Sequence, residues 1–213
     1  LADGAVGAGT TVGLASDYQV PVLNAANAGV TITPKTVGLS ASKTYDGSTA
    51  LSGNQVSIAT GVGSEVLSYS NATANDAHVA TAGKYINAIT LADGAVGAGT
   101  TVGLASDYRL PVLNSAQAAV SITPKTLTAT LNNTGVSKTY DGTIDGPAGF
   151  TPAYAITGYV ADDSSAALSH SNAVFNDANV VGANKLTVSG VRIDTLTSPS
   201  KNSSVSDYVL DSS

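Results

Sequence analysis

Two copies of one hexapeptide hold the residues best suited to chemistry. Ser42-Lys43-Thr44-Tyr45-Asp46-Gly47 returns as Ser137-Lys138-Thr139-Tyr140-Asp141-Gly142. A lysine, a tyrosine and an aspartate this close could form an acid–base cluster. Catalysis would further require a base, a group that orients it and a pocket, and no partner residue recurs beside both copies. The local reading is a tight turn. Gly47 and Gly142 supply positive φ, and Asp46 and Asp141 bond their own backbone. Tyr45 and Tyr140 then bury their rings as anchors before the turn. Lys43 and Lys138 extend along the rim.

The remaining reactive residues are scattered. His78 and His170 are the only histidines, and they occupy unrelated places, so both are expected at the surface or a strand edge. Asn75-Asp76, Asn176-Asp177, Asp17, Asp107 and Asp207 offer oxygen ligands, which calcium could use. No Asp-rich calcium loop is present, so caps and turns are the expected roles, and no other cofactor is implied. Tyr154 and Tyr159 fall in a stretch with no close internal match, where they could form a stacking platform for sugar.

Composition narrows the class. The 213 residues carry a formal charge of −6, and only 11% are charged, which is unlike the basic surface of a nucleic-acid binder. No apolar run is long enough for a membrane-spanning helix. Cysteine is absent, which removes disulfides and thiolate sites. Glu65 is the sole glutamate among 15 acidic residues. Few helix-favouring side chains beside abundant threonine and valine point to strands. A cysteine-free, acidic chain of small polar residues fits an exported bacterial surface protein. Leu1 stands where an initiator methionine would, so a window cut from a longer chain is expected.

Internal repetition fixes the organisation. Residues 1–36 and 91–126 differ only at six of 36 positions, 19/109, 20/110, 25/115, 27/117, 29/119 and 31/121. Ser106-Asp107-Tyr108 returns as Ser206-Asp207-Tyr208, and Ser70-Asn71-Ala72 as Ser171-Asn172-Ala173. The unit is therefore about 90 residues long. Residues 1–35 are the end of one repeat, 36–125 a complete repeat, and 126–213 a third repeat without its last strand. Alternation such as Val37, Leu39, Ala41 and Val120, Ile122 marks short half-buried strands. Their number suggests an all-β fold of tandem antiparallel, immunoglobulin-like β-sandwiches. Pro34 and Pro124 lie at the joints, which should be short and stiff, so the repeats are expected to line up as an elongated rod.

Ile122-Thr123-Pro124-Lys125, followed by a strand and Lys-Thr-Tyr-Asp-Gly, resembles the YDG repeat of the MBG type. Phe175–Gly182, Val188–Val191 and Asp207–Leu210 continue the resemblance, while Asn132–Gly135 lengthens the first strand region. Such repeats stand in tandem in large bacterial surface and secreted adhesins, including filamentous-haemagglutinin-like proteins and biofilm-matrix adhesins. The resemblance implies an extracellular, non-enzymatic stalk module whose partners are other repeats of the same chain. In the other reading, the repeats themselves bind exopolysaccharide or host glycan. Neither implies nucleic-acid binding or membrane insertion.

Overall fold

The computed structural model describes residues 2–4, 11, 13–95, 97 and 99–211. The chain divides into two units, Leu1–Pro34 and Lys35–Ser213. Pro34 therefore ends the first unit, whereas Pro124 lies inside the second.

The first unit is held by local bonds. The N–H of Gly4 donates to the carbonyl of Gly13 at 3.0 Å, and the N–H of Ala15 to Asp3 Oδ1 at 2.6 Å. A 3-10 turn follows over Ala15–Asp17. Asn24 Oδ1 then accepts the N–H of Ala26 at 2.9 Å in an Asx turn. Beyond this turn residues 29–34 form no strand, and Val30 and Ile32 face solvent.

The second unit is all-β apart from three 3-10 turns, Gly53–Gln55, Ala105–Asp107 and Val205–Asp207. Its strands are β1 (Lys35–Thr36), β2 (Gly38–Thr44), β3 (Ala50–Leu51), β4 (Val56–Ala59), β5 (Glu65–Ala74), β6 (Ile86–Asp93), β7 (Thr101–Val102), β8 (Tyr108–Arg109) and β9 (Ala118–Thr123). These are followed by β10 (Lys125–Leu131), β11 (Tyr154–Thr157), β12 (Ser165–Ser169), β13 (Asn172–Phe175), β14 (Leu186–Ser189), β15 (Arg192–Thr197) and β16 (Tyr208–Leu210). They form several small sheets.

The two repeats share one wiring. β2 lies antiparallel to β4, as β10 does to β11. β1 lies parallel to β8, as β10 does to β16. The long β5–β6 hairpin is divided in the later repeat into β12–β15 and β13–β14. Val37 and Leu127, each at the start of its repeat, are both buried.

The sheets are mixed, which corrects the purely antiparallel expectation. The reason lies in the joint. β9 runs through Pro124 directly into β10, so the chain must leave each repeat in the direction in which it entered. The first and last strands of a repeat then run side by side in the same sense. β2 accordingly pairs with β9 in parallel, from Leu39 opposite Ala118 to Thr44 opposite Thr123. The alternating side chains of both strands, Leu39, Ala41, Ala118, Val120 and Ile122, enter the core.

Nearly the same sequence is thus seen in two environments. Val120 and Ile122 are 7% and 5% exposed, while Val30 and Ile32 in the first unit are 89% and 93% exposed. Burying an aliphatic side chain of this size contributes about 1.5–3 kcal/mol, so the strand forms where a partner edge receives it. In dilute solution Ile122→Ala should cost about 2–5 kcal/mol, and Ile32→Ala should stay within about 0.5 kcal/mol. Urea unfolding of the two variants against the parent chain measures both.

Candidate functional site: a clasp between consecutive repeats

The hexapeptide turns are built alike. Gly47 and Gly142 have φ of 72° and 76°, a region that favours glycine. Asp46 Oδ1 accepts the N–H of Ser48 at 2.9 Å, and Asp141 Oδ1 that of Thr143 at 3.0 Å. Lys43 Nζ lies 2.6 Å from Asp46 Oδ1, and Lys138 Nζ 2.8 Å from Asp141 Oδ1. The Lys138 ammonium, followed by the N–H and hydroxyl of Thr143, holds the Asp141 carboxyl down at about 2. Lys43 does not run along a rim. Its side chain is buried and donates to the carbonyls of Ser48 and Ala50, both at 2.8 Å. The lysine is a turn clamp that ties the chain on both sides of the Asp–Gly corner.

The two tyrosines differ. Tyr45 is 1% exposed and Tyr140 is 62% exposed. The difference comes from what covers Tyr45. The Tyr45 hydroxyl and Ser203 Oγ share a hydrogen bond of 2.6 Å. The Tyr208 ring meets that of Tyr45 edge-on at 5.7 Å, and the His78 ring stacks on it at 6.1 Å. Burial raises the Tyr45 pKa, and the Ser203 hydrogen bond only partly opposes this. The anchor of one repeat is therefore covered by the end of the next.

Asp207 is the centre of that cover and is 0% exposed. It ends the Val205–Asp207 turn, where Ser204 and Asp207 form a capping box. Oδ1 accepts the N–H of Val79 at 2.7 Å, across the repeat boundary. Oδ2 meets His78 Nδ1 at 2.8 Å and accepts the N–H of Ser204 at 2.8 Å and the Ser204 hydroxyl at 3.0 Å. Burial alone would raise its pKa. The N–H groups of Ser204 and Val79, the His78 ring and the Ser204 hydroxyl outweigh burial and hold it below the ordinary aspartate value.

Tyr208 fixes the same segment to its own repeat. Its hydroxyl donates to Asp163 Oδ2 and accepts the N–H of Val160 at 3.0 Å. Burial and the Asp163 carboxylate both push its pKa up. Tyr108 is tied in the same way through its hydroxyl to Glu65 at 2.5 Å. Asp107, the counterpart of Asp207, is exposed, and its N-cap is Leu104, which offers no side-chain oxygen.

Sequence reasoning missed His78, Val79, Ser203, Asp163 and Glu65. Two signals were present. Glu65 is the only glutamate in the chain. His78 replaces Asn179 in loops of one design, where Asp76 Oδ1 accepts the N–H of His78 at 2.7 Å and Asp177 Oδ1 that of Asn179 at 2.8 Å. His170 stands apart from the clasp, edge-on to Phe150. Tyr154 and Tyr159 are half-buried with buried hydroxyls, and Tyr159 packs edge-on against Tyr208.

A serine, a histidine and an aspartate meet here, but not as a nucleophilic triad. That chemistry needs a hydroxyl at the second imidazole nitrogen. Ser203 Oγ instead bonds Tyr45, and Ser204 Oγ bonds Asp207 and Ser206. Among the described residues no group of three or more His, Cys, Asp or Glu could hold a metal ion. No described helix is long and apolar enough to cross a membrane. The arrangement joins two repeats through buried hydrogen bonds and aromatic contact.

Comparison with known families matches residues 123–212 to the model described as YDG domain. That segment is a YDG domain. No curated protein and no solved structure is significantly similar to the chain. The YDG domain begins at Thr123, the last residue of β9, and contains both the exposed Tyr140 turn and the Ser203–Tyr208 half of the clasp.

Asp207→Ala should cost about 3 kcal/mol, because it leaves buried donors without their acceptor. Asp107→Ala should stay within about 0.5 kcal/mol. Urea midpoints of the two variants test the pair. The pH dependence follows from the lowered pKa. The stabilisation is complete above the unfolded value of about 3.9 and is lost as pH falls through the lower folded value. The difference in thermal midpoint between the parent chain and Asp207→Asn should therefore hold near neutral pH and narrow below about pH 4.

Proposed function

We propose that these repeats are structural segments of a secreted bacterial adhesin. They form a stalk that holds an adhesive tip away from the cell surface or bridges cells within a biofilm matrix. The observation that carries this reading is the clasp. Asp207 and Tyr45 are each buried where two consecutive repeats meet, so the joint between repeats is a folded interface rather than a linker. Such an interface limits bending, as a stalk requires. The direct run of β9 through Pro124 into β10 supports the reading by leaving no slack in the chain. In this proposal each repeat is an immunoglobulin-like sandwich and the series is an extended rod.

In this proposal the residues that could have favoured chemistry or ligand binding serve the fold. Lys43, Asp46 and Gly47 close a turn, and Tyr154 and Tyr159 turn their hydroxyls inward. The principal partners are therefore neighbouring repeats, and the protein works outside the cell.

Electron microscopy of the native full-length protein tests the proposal. A beaded rod at the bacterial surface or in the matrix is expected. A compact particle, or a protein retained in the cytoplasm, would overturn it. Glycan-array binding by the purified chain provides the second measurement. Saturable binding lost on Tyr154→Ala or Tyr159→Ala would instead favour a carbohydrate-binding module.

A further inference from the structure

The clasp has two halves of different design. The half on 36–125 is the Tyr45–Gly47 turn with the loop at His78 and Val79. The half on 126–213 is the segment Lys201–Ser204 leading into Asp207. Ser106-Asp107-Tyr108 corresponds to Ser206-Asp207-Tyr208, so Thr101-Val102-Gly103-Leu104 corresponds to Lys201-Asn202-Ser203-Ser204. These four positions share no residue between the repeats, although the Ser-Asp-Tyr that follows is identical.

The later segment faces the neighbouring repeat. A β-carbon at Gly47 would stand 3.2 Å from Lys201 Cδ and 3.4 Å from Val160 Cγ2. The hexapeptide glycine is thus required by the packing of the next repeat as well as by its own φ. Asn202 has a φ of 54°, in the left-handed region that asparagine tolerates. After it, the Ser203 hydroxyl meets that of Tyr45, and Ser204 caps Asp207. Asp207 then accepts the N–H of Val79 and meets the His78 ring.

The earlier segment is bound to its own repeat. Thr101–Val102 is β7, which runs parallel to Glu65–Val66 of β5. The N–H of Gly103 donates to the carbonyl of Val66 at 2.9 Å, and its carbonyl accepts the N–H of Gly94 at 3.0 Å. A β-carbon at Gly103 would stand 3.0 Å from the Val66 carbonyl oxygen and 3.2 Å from Leu67 Cδ2. A serine there would crowd the backbone of β5. Neither Gly103 nor Leu104 carries a side-chain oxygen, so neither the bond to Tyr45 nor the cap on Asp207 has an equivalent. The difference lies in the residue types, whatever stands beside either segment.

We propose that residues 201–204 are the selectivity element of the joint. Their partner is a preceding repeat that presents the Tyr-Asp-Gly turn together with a histidine at the position of His78. A repeat whose segment reads Thr-Val-Gly-Leu does not close this clasp. The order of the repeats is thereby set at the joint. A domain of the 126–213 kind follows one of the 36–125 kind, and a second 36–125 in its place would leave Tyr45 and the His78 loop without these partners. This inference rests on the clasp and not on the stalk reading, because it concerns which repeat follows which and not where the protein works.

Hydrogen exchange of the full chain provides the test. The Val79 N–H reports the joint, because its acceptor Asp207 Oδ1 lies in the other repeat. The amides of the β12–β15 ladder report the later repeat alone. Lys201→Thr, Asn202→Val, Ser203→Gly and Ser204→Leu together install the earlier residues. They should speed Val79 exchange about tenfold or more, the equivalent of one lost hydrogen bond, and leave β12–β15 protected. Unchanged Val79 exchange overturns the proposal. If β12–β15 also loses protection, the later repeat no longer folds, and thermal midpoints of Tyr45→Phe, Ser203→Ala and the double variant decide instead. The second substitution should then add little to the first, whereas fully additive effects overturn the proposal. Asp207→Asn separates this inference from the clasp itself. If it too leaves Val79 exchange unchanged, the clasp fails and the stalk reading loses its support. If it speeds exchange while the four-residue replacement does not, only the selectivity is overturned.

Discussion

A single buried carboxylate holds consecutive repeats together. Asp207 is fully enclosed, and a carboxylate out of water is costly unless its lone pairs are filled. Two donors come from its own turn through Ser204, and two come across the boundary from His78 and Val79. Neither repeat alone satisfies it. The aromatic contacts around Tyr45 and the tie from Tyr208 to Asp163 depend on that segment being in place. Pro124 therefore lies within one folded unit, although its sequence resembles that at the boundary of the first unit.

Much of the local structure was legible in the residues. The Asp–Gly turns, the Asx bonds and the 3-10 segments depend on side chains two to four positions apart, and they recur wherever the sequence recurs. The first unit shows this directly, for its Asn24–Ala26 bond and its Ala15–Asp17 segment have counterparts in Asn114–Ala116 and Ala105–Asp107. The alternation of β2 and β9 likewise gave the buried faces correctly.

Pairing was less legible, for a physical reason. Strand direction and neighbours depend on contacts about 80 residues apart, as between Leu39 and Ala118, and alternation is the same in parallel and antiparallel ladders. The mixed sheets follow from the straight joint and not from any one strand. The clasp was hidden for a related reason. His78 looked unremarkable because it has no repeated partner, but an interface between unlike repeats needs none. Tyr45 and Tyr140 share six letters of local sequence and differ in exposure because their neighbours differ.

The parallel ladder of β2 and β9 has a mechanical consequence. The chain enters this repeat at the start of β2 and leaves at the end of β9, at opposite ends of one ladder of six residue pairs. Tension along the chain loads that ladder in shear, so its hydrogen bonds resist together rather than opening one after another.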